Sequence, residues 1–299
     1  MSPTDTLRGL LQSCSFELAT RDPASAARIA PRFPGGRDLF IEFLPSETYH
    51  HSVRTAAAAR AAGFDPVPHI AARHLDTATQ LDDFLARLAG EAAVTRVLVI
   101  AGDGEHPRGP FATSLDLIRS GALERHGITE IGIAAYPEPP PKMARHLLDR
   151  ALDDKLRLAA QHGLDLFIVT QFCFEAAPIL DFLRDLRRRG IAQPVRVGLA
   201  GPANVATLLK FAVRCGIGAS IRAVRTHADS IARLLGDAGP DEVARSLAAE
   251  LADDLDLAPV ALHFFPFGGL ARFADWIDST LAALDGPPQR QDKELRRPA

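Results

Sequence analysis

The sequence contains few cysteines and no excess of positive charge, and each shortage excludes a class of protein. Its three cysteines, Cys14, Cys173 and Cys215, are far apart and odd in number. The sequence therefore predicts neither a disulfide framework nor a CxxC metal site. The net charge of −3 does not suit binding to phosphate backbones, which requires a basic surface. Nucleic acid is not an expected partner.

Long hydrophobic runs are missing as well. No apolar stretch approaches the roughly 20 residues that are needed to span a bilayer. The first residues, Met-Ser-Pro-Thr-Asp, do not form the basic region followed by an apolar region that marks a signal peptide. We therefore expect a cytoplasmic protein without a membrane segment.

The composition suits one large domain. The chain has 299 residues, of which 47% are hydrophobic and 24% are charged, so it can bury a sizeable core and remain soluble. α/β barrels commonly fill this length as a single unit. We expect a barrel domain over residues 1–284 and a disordered tail over residues 285–299, which are polar and rich in proline.

Short apolar runs rich in β-branched residues alternate along the chain with helix-length segments. This alternation predicts parallel strands joined by right-handed crossovers, and eight such units predict a closed (β/α)8 TIM barrel. An open doubly wound sheet is the alternative fold. The predicted strands are Ser15–Ala19, Leu39–Leu44, Pro66–Ala71, Arg96–Ala101, Glu130–Ala135, Leu166–Gln171, Pro194–Leu199 and Pro259–Phe265.

Amphipathic segments between these runs predict the helices. Gly63, Gly163 and Gly190 each stand between a helical segment and a strand, the usual place of a left-handed C-cap. A longer crossover over Arg222–Pro259 is predicted to hold two helices, broken at Ala238-Gly239-Pro240. The other predicted helices are Ser52–Ala62, Thr77–Leu88, Lys142–Gln161, Ala177–Arg188 and Val205–Cys215.

Polar residues fall at the carboxyl ends of several predicted strands, where α/β barrels place their active sites. Each alone has a structural alternative, such as a helix cap, a turn or a hydrogen bond to a neighbouring strand. Their convergence on one rim favours a binding site. These residues are Glu17, His69, Asp103, Tyr136, Glu138 and Gln171.

Motifs at these positions resemble those of the methylenetetrahydrofolate reductase family, over about residues 14 to 280. The Tyr-Pro-Glu and Thr-Gln-Phe-x-Phe motifs are fairly specific together, whereas the others are weak alone. The matching segments are Ser15-Phe16-Glu17, Pro68-His69, Ala101-Gly102-Asp103, Ile133-Ala134-Ala135-Tyr136-Pro137-Glu138, Ile168-Val169-Thr170-Gln171-Phe172-Cys173-Phe174 and His263-Phe264-Phe265.

The resemblance implies an oxidoreductase that interconverts 5,10-methylenetetrahydrofolate and 5-methyltetrahydrofolate. Hydride reaches the bridging carbon only after the ring opens to an N5 iminium ion, and opening requires a proton on N10. Glu17 is the candidate general acid, with a pKa expected to be raised by partial burial. Asp103 would bind the pterin and stabilise the cation. Gln171 and Phe211 are the further candidates for binding the substrate.

The same resemblance implies FAD as cofactor, reduced by NADH or NADPH. The candidate cofactor-binding residues are His69, Gly102, Asp103, Tyr136 and Lys155. No histidine cluster is completed by carboxylates at metal-ligand spacing, so no metal is expected.

The sequence departs from the family pattern at positions that bear on FAD. Basic residues expected there are replaced by Ala101, Pro140, Leu158 and Ala159. Losing several charge-assisted hydrogen bonds would weaken FAD binding. Direct hydride transfer from the nicotinamide to the folate therefore stays open as an alternative.

Two other functions also stay open, a folate-binding barrel without redox activity (regulatory or completed by a partner) and a pterin-dependent methyltransferase. The choice between NADH and NADPH, the physiological direction and a possible homo-oligomer are not fixed by the sequence.

Overall fold

The computed structural model describes residues 1–20, 22–44, 47–141, 143–215 and 237–285, in which eight parallel strands close a barrel. Each strand pairs with the one before it, and the last pairs with the first, so that Ser15 lies opposite His263. The (β/α)8 TIM barrel is confirmed, and the open sheet is wrong. The strands are β1 Ser15–Leu18, β2 Asp38–Ile41, β3 Asp65–Ala71, β4 Arg96–Ile100, β5 Glu130–Ala135, β6 Asp165–Thr170, β7 Val195–Ala200 and β8 Val260–Phe265.

Helices surround the barrel, and all five helices predicted between Ser52 and Cys215 are present. The sequence did not predict α1, α2, α5, α6 and α11. None of the described helices is long and apolar enough to cross a membrane. The helices are α1 Pro3–Gln12, α2 Ala24–Ile29, α3 Tyr49–Ala61, α4 Ala78–Ala92, α5 Ser114–Arg119, α6 Ala122–Arg125, α7 Arg145–Gln161, α8 Ala176–Arg188, α9 Val205–Cys215, α10 Asp241–Asp253 and α11 Leu270–Leu284.

The predicted helix ends are confirmed at three glycines. Gly63, Gly163 and Gly190 have φ angles of 89°, 67° and 75°, which is the left-handed region that glycine adopts without strain. The second half of the long predicted crossover is α10. Its first half and the predicted tail beyond Asp285 lie outside the described residues.

Side chains on the strands alternate between two cores. The outward face packs against the helices, as Phe16 does against Phe33 and Phe273, with ring centroids 4.8 Å and 5.1 Å away. Gly132 leaves room inside the barrel, since a Cβ there would lie 2.6 Å from the Phe167 ring. The inward face forms a separate cluster of Phe40, Val67, Leu98, Phe167 and Val169.

Charged residues close the amino-terminal end of the barrel. The carboxylate of Asp38 accepts hydrogen bonds from Arg96, at 3.0 Å, and from Arg196. The Arg196 guanidinium also lies 4.9 Å from the centre of the Phe167 ring. These ion pairs cover the inner core at this end, and barrels of this fold bind their ligands at the opposite, carboxyl end.

Candidate functional site

The inward direction of Glu17 follows from the alternation along β1. Phe16 packs outward among aromatic side chains of the surrounding elements, so the next residue points into the barrel. Glu17 is only 2% exposed there. A carboxyl group at such a position is costly to bury unless partners stabilise it.

Two imidazoles provide these partners. Nε2 of the fully buried His263 lies 3.1 Å from Oε1 of Glu17, and Nε2 of His69 lies 3.2 Å from the same oxygen. A carboxylate only accepts hydrogen bonds, so Nε2 of His263 carries a proton and its Nδ1 accepts from the Ser15 hydroxyl at 2.9 Å. Oε2 of Glu17 has no hydrogen-bond partner among the described residues.

The two imidazoles reverse the direction of the pKa shift that the sequence predicted for Glu17. Burial alone would raise the pKa of Glu17, but the charge of His69 and the hydrogen bond from His263 outweigh burial and lower it. Burial alone would lower the pKa of His69, but the Glu17 carboxylate raises it. Burial lowers the pKa of His263 despite that carboxylate. The expected rise in the pKa of Glu17 is therefore wrong, and the structure favours a Glu17 carboxylate beside a protonated His69.

Sequence reasoning missed a second carboxyl group, Glu42. It follows β2, and its backbone N–H donates to the carbonyl oxygen of Leu18 at 3.0 Å. Burial, then the charge of Glu17, raises the pKa of Glu42 to about 7. One acidic residue in the otherwise apolar segment around Ile41 and Phe43 was a usable sequence signal. His263, within the apolar β8, was another.

A cavity of about 490 Å³ opens above Glu17 at the carboxyl end of the barrel. Its walls include most of the predicted site residues, but Phe211 is not among them. Phe211 instead stacks on Phe267, with ring centroids 4.0 Å apart, in an aromatic cluster that reaches the cavity wall at Phe265. The predicted residues that line the cavity are Glu17, His69, Gly102, Asp103, Tyr136, Lys155 and Gln171.

The predicted folate-binding residues lie beneath the end of α9. The exposed carboxylate of Asp103 forms an ion pair with Arg214 at 3.5 Å. Gln171 uses Oε1 to accept from the backbone N–H of Phe172 at 3.2 Å, and its side chain also contacts the Cys215 thiol. The outer wall of the cavity thus holds a carboxylate and a carboxamide, and both side chains contact residues at the end of α9.

Few cations around the cavity are free to bind an anion. Arg73 and Arg145 line it, but both donate to backbone carbonyl oxygens of neighbouring loops. An N–H of Arg73 donates to Gly104 at 2.7 Å, and an N–H of Arg145 donates to Tyr136 at 2.8 Å. Lys155 is half-buried and has no carboxylate partner in the part of the chain that the structure describes. Burial lowers the pKa of Lys155. Within the described ranges, no group of three or more potential metal ligands is present.

Solved structures with the same fold span nearly the whole chain. An uncharacterized protein from Clostridium thermocellum, which binds two copies of 5-methyl-5,6,7,8-tetrahydrofolic acid, has a TM-score of 0.59 and 14% identity, covering 91% of this chain and 92% of its own. A tryptophan synthase α-subunit variant from Pyrococcus furiosus has a TM-score of 0.52 and 14% identity, covering 92% of this chain and 98% of its own.

The sequence itself matches a family model. Residues 45–230 match the model of methylenetetrahydrofolate reductase, a segment that begins after β2 and includes β3 to β7. It contains the cavity residues His69, Asp103, Tyr136, Lys155 and Gln171. Since this match covers more than half of the chain, the protein belongs to the methylenetetrahydrofolate reductase family.

Proposed function

We propose that the protein is an oxidoreductase that interconverts 5,10-methylenetetrahydrofolate and 5-methyltetrahydrofolate, with NAD(P)H as the hydride donor. The observation that carries the proposal is the buried Glu17 carboxylate, which faces a ligand-sized cavity with Oε2 unpaired and with His69 beside it. Family membership supports a reduced folate as the ligand. The folate-binding Clostridium thermocellum protein of the same fold supports it further.

The Glu17–His69 pair suits the proton chemistry of ring opening. The pair holds one proton, which moves from His69 through the Glu17 carboxyl group to N10 of the folate and leaves His69 neutral. Breaking the bond between N10 and the bridging carbon leaves an iminium cation at N5, which the buried carboxylate stabilises. Hydride from NAD(P)H then adds to that carbon and gives the methyl group. Each reduction consumes one hydride and one proton.

The pH dependence of turnover tests this pair. His69 has a pKa above the ordinary value of 6.5, so it is protonated below its raised pKa and loses its proton as the pH rises through it. Glu17 has a lowered pKa and remains a carboxylate over the same range. We expect turnover to fall with rising pH above 6.5 in the wild type. The His69→Gln variant should be slower and lack this alkaline limb.

Measuring kcat from pH 5 to pH 9 checks this expectation. His50→Gln is a matched control, because His50 lies on the surface helix α3 away from the cavity. An alkaline limb that persists unchanged in His69→Gln would show that another group holds the proton.

Asp103 and Gln171 are proposed to bind the pterin from the outer wall. Asp103→Asn removes a charge and Gln171→Ala removes a carboxamide, so each should weaken binding of 5-methyltetrahydrofolate. A hydrogen bond to the charged Asp103 is worth about 1.5–3 kcal/mol, or roughly ten- to hundredfold in affinity, and one to the neutral Gln171 is worth about 0.5–1.5 kcal/mol. Titration calorimetry measures the effect, with Glu175→Gln, an exposed carboxylate after β6, as the control. Unchanged dissociation constants for both variants would exclude this placement of the folate.

The cavity fits a flat ring better than it fits a diphosphate. Its volume lies within the range of about 300–1,000 Å³ that is usual for ligand sites, and apolar strand residues such as Leu98, Ile100 and Val169 line it. His69, Gly102, Tyr136 and Lys155 would hold the ring and its substituents. A Cβ at Gly102 would lie 3.0 Å from the His74 side chain and 3.1 Å from Ala71, so any larger residue there would crowd these neighbours. FAD, when bound, serves as a hydride carrier between NAD(P)H and the folate.

We expect any FAD that binds to be held weakly, because Ala101 and Pro140 carry no charge and Lys155 is the one unpaired cation among the described cavity residues. Ala101→Arg should tighten FAD binding by about tenfold or more, which needs about 1.4 kcal/mol. Ala101→Gln has a similar reach without the charge and is the control. Flavin absorbance after dialysis measures the result. Stoichiometric flavin that survives dialysis of the wild type would contradict weak binding.

Deuterium at C4 of NAD(P)H distinguishes the two hydride routes. In direct transfer, the label passes to the methyl group of the folate. A carrier whose reduced form exchanges with solvent would lose it before the second transfer. Mass spectrometry of the product, with and without added FAD, therefore separates the routes. Unlabelled product in the absence of any flavin would exclude direct transfer.

A further inference from the structure

A second cavity, of about 500 Å³, lies on the other side of Glu17. Glu17 is the one described residue that lines both this cavity and the first one. The second cavity reaches the surface at Asp22 and Arg28, whose side chains are 54% and 60% exposed. Glu17 therefore separates a solvent-connected cavity from the proposed folate site.

Glu42 lines this second cavity together with Glu17. The register of β2 against its neighbouring strands explains why Glu42 lies near Glu17. Phe40 on β2 pairs with Glu17 on β1 and with Val67 on β3. Glu42 comes two residues after Phe40, on the same inward face, and is level with His69, which comes two residues after Val67. Among the described residues, the Glu42 carboxyl group has charged neighbours but no hydrogen-bond partner.

Substrate binding would close the first cavity and cut off Glu17 from solvent on that side. Glu17 is 2% exposed even without a ligand, and a folate in the first cavity would cover the side of Glu17 from which the proton leaves. His263 is fully buried and has no direct contact with solvent. Since each reduction consumes a proton, the Glu17–His69 pair must be reprotonated from another side. The second cavity provides that side.

We propose that Glu42 and the second cavity form a proton path that connects Glu17 to solvent while folate fills the first cavity. This inference rests on the proposed function. Glu42 gives its carboxyl proton to the Glu17 carboxylate through the water of the cavity, and then takes a proton from that water. Glu42 thus acts through Glu17 and does not touch the folate. Its pKa of about 7 allows both protonation states near neutral pH.

The charges around Glu42 determine how it titrates. The carboxylate of Glu17 on β1 and that of Glu47 in the loop after β2 favour its protonated form, whereas His69 on β3 and Arg214 on α9 favour its ionised form. At the outer end of the second cavity, Asp22 and Arg28 pair with each other. The side chain of Arg32, which also lines this cavity, pairs with Asp275 and Asp278.

Glu42→Gln keeps the shape of the side chain and removes its proton. We expect kcat to fall by roughly tenfold, less than the effect of removing a general acid, with KM for the folate unchanged. The loss should be largest where Glu42 titrates, near pH 7. Formate added to the buffer should restore kcat in Glu42→Gln by carrying protons through the second cavity, and should not change the wild type. Glu42→Asp should retain most of the activity.

Glu175→Gln is the matched control, because it removes an exposed carboxylate at the same end of the barrel that lines neither cavity. A Glu42→Gln variant with wild-type kcat and pH profile would overturn the proposal, and so would a loss of kcat that formate does not restore.

Infrared difference spectroscopy distinguishes failure of the proton path from failure of the proposed function. A carboxyl band that titrates near neutral pH, vanishes in Glu42→Gln and shifts in Glu17→Gln supports the path even if no turnover is found. Absence of that band overturns it.

Discussion

Glu17→Gln is expected to lower turnover with the folate substrate by about 10²–10⁴-fold, the usual contribution of a general acid, while folate binding remains nearly intact. Glutamine keeps the shape of the side chain and still offers an oxygen to His263. It cannot carry the proton from His69 to N10, and it has no charge to stabilise the iminium cation. The loss should therefore fall on kcat and leave the dissociation constant for 5-methyltetrahydrofolate almost unchanged.

Steady-state kinetics and calorimetry on the same preparations measure the two effects. Glu175→Gln serves as the control again, because it removes an exposed carboxylate at the same end of the barrel. Retention by Glu17→Gln of more than about a third of wild-type turnover, instead of a loss of about 10²-fold or more, would show that Glu17 is not the proton donor. A large loss of folate affinity would instead assign Glu17 a role in binding.

Phe16→Ala should destabilise the protein by about 3–5 kcal/mol, the usual range for a fully buried phenylalanine. Phe16 is 0% exposed and contacts the rings of Phe33, Phe64 and Phe273. Since domains are stable by only about 5–15 kcal/mol, much of the folding free energy would be lost. Urea unfolding followed by circular dichroism measures the change.

Leu255→Ala is the control for this experiment, because Leu255 is 74% exposed and should change stability by less than about 0.5 kcal/mol. The comparison also tests whether the Glu17 side chain points into the barrel. Phe16 and Glu17 are neighbours on β1 and point to opposite faces. A cost below about 1 kcal/mol for Phe16→Ala would mean that Phe16 is not in the helix-facing core, and the inward position of Glu17 would lose its basis.

The strands were predictable because their sequences carry a strong signal. Strands of a parallel barrel are buried on both faces, so they occur as continuous apolar runs, as in β4 and β6. The helix α1 was missed although Ser2 caps it and Leu7, Leu10 and Leu11 share one face. It precedes the first strand, so the alternation of strands and helices did not predict it. In the structure, α1 packs against α10.

The site was only partly predictable, because strand ends can be located from the sequence but their partners cannot. His263 lies 246 positions from Glu17 along the chain, and only closure of the barrel brings the two together. The burial of Glu17 was expected, but the imidazoles that lower its pKa were not. Phe211 was assigned by resemblance alone, and its stacking on Phe267 depends on how α9 packs over the barrel.

The most direct test of the proposed reaction is the anaerobic formation of 5-methyltetrahydrofolate from 5,10-methylenetetrahydrofolate. Purified protein is incubated with NADH or NADPH, with and without FAD, and the folates are quantified by mass spectrometry. We predict catalytic formation of the methyl product with at least one donor, and its loss in Glu17→Gln. Tight folate binding by the wild type with no methyl product under any of these conditions would contradict the redox function and indicate a folate-binding barrel.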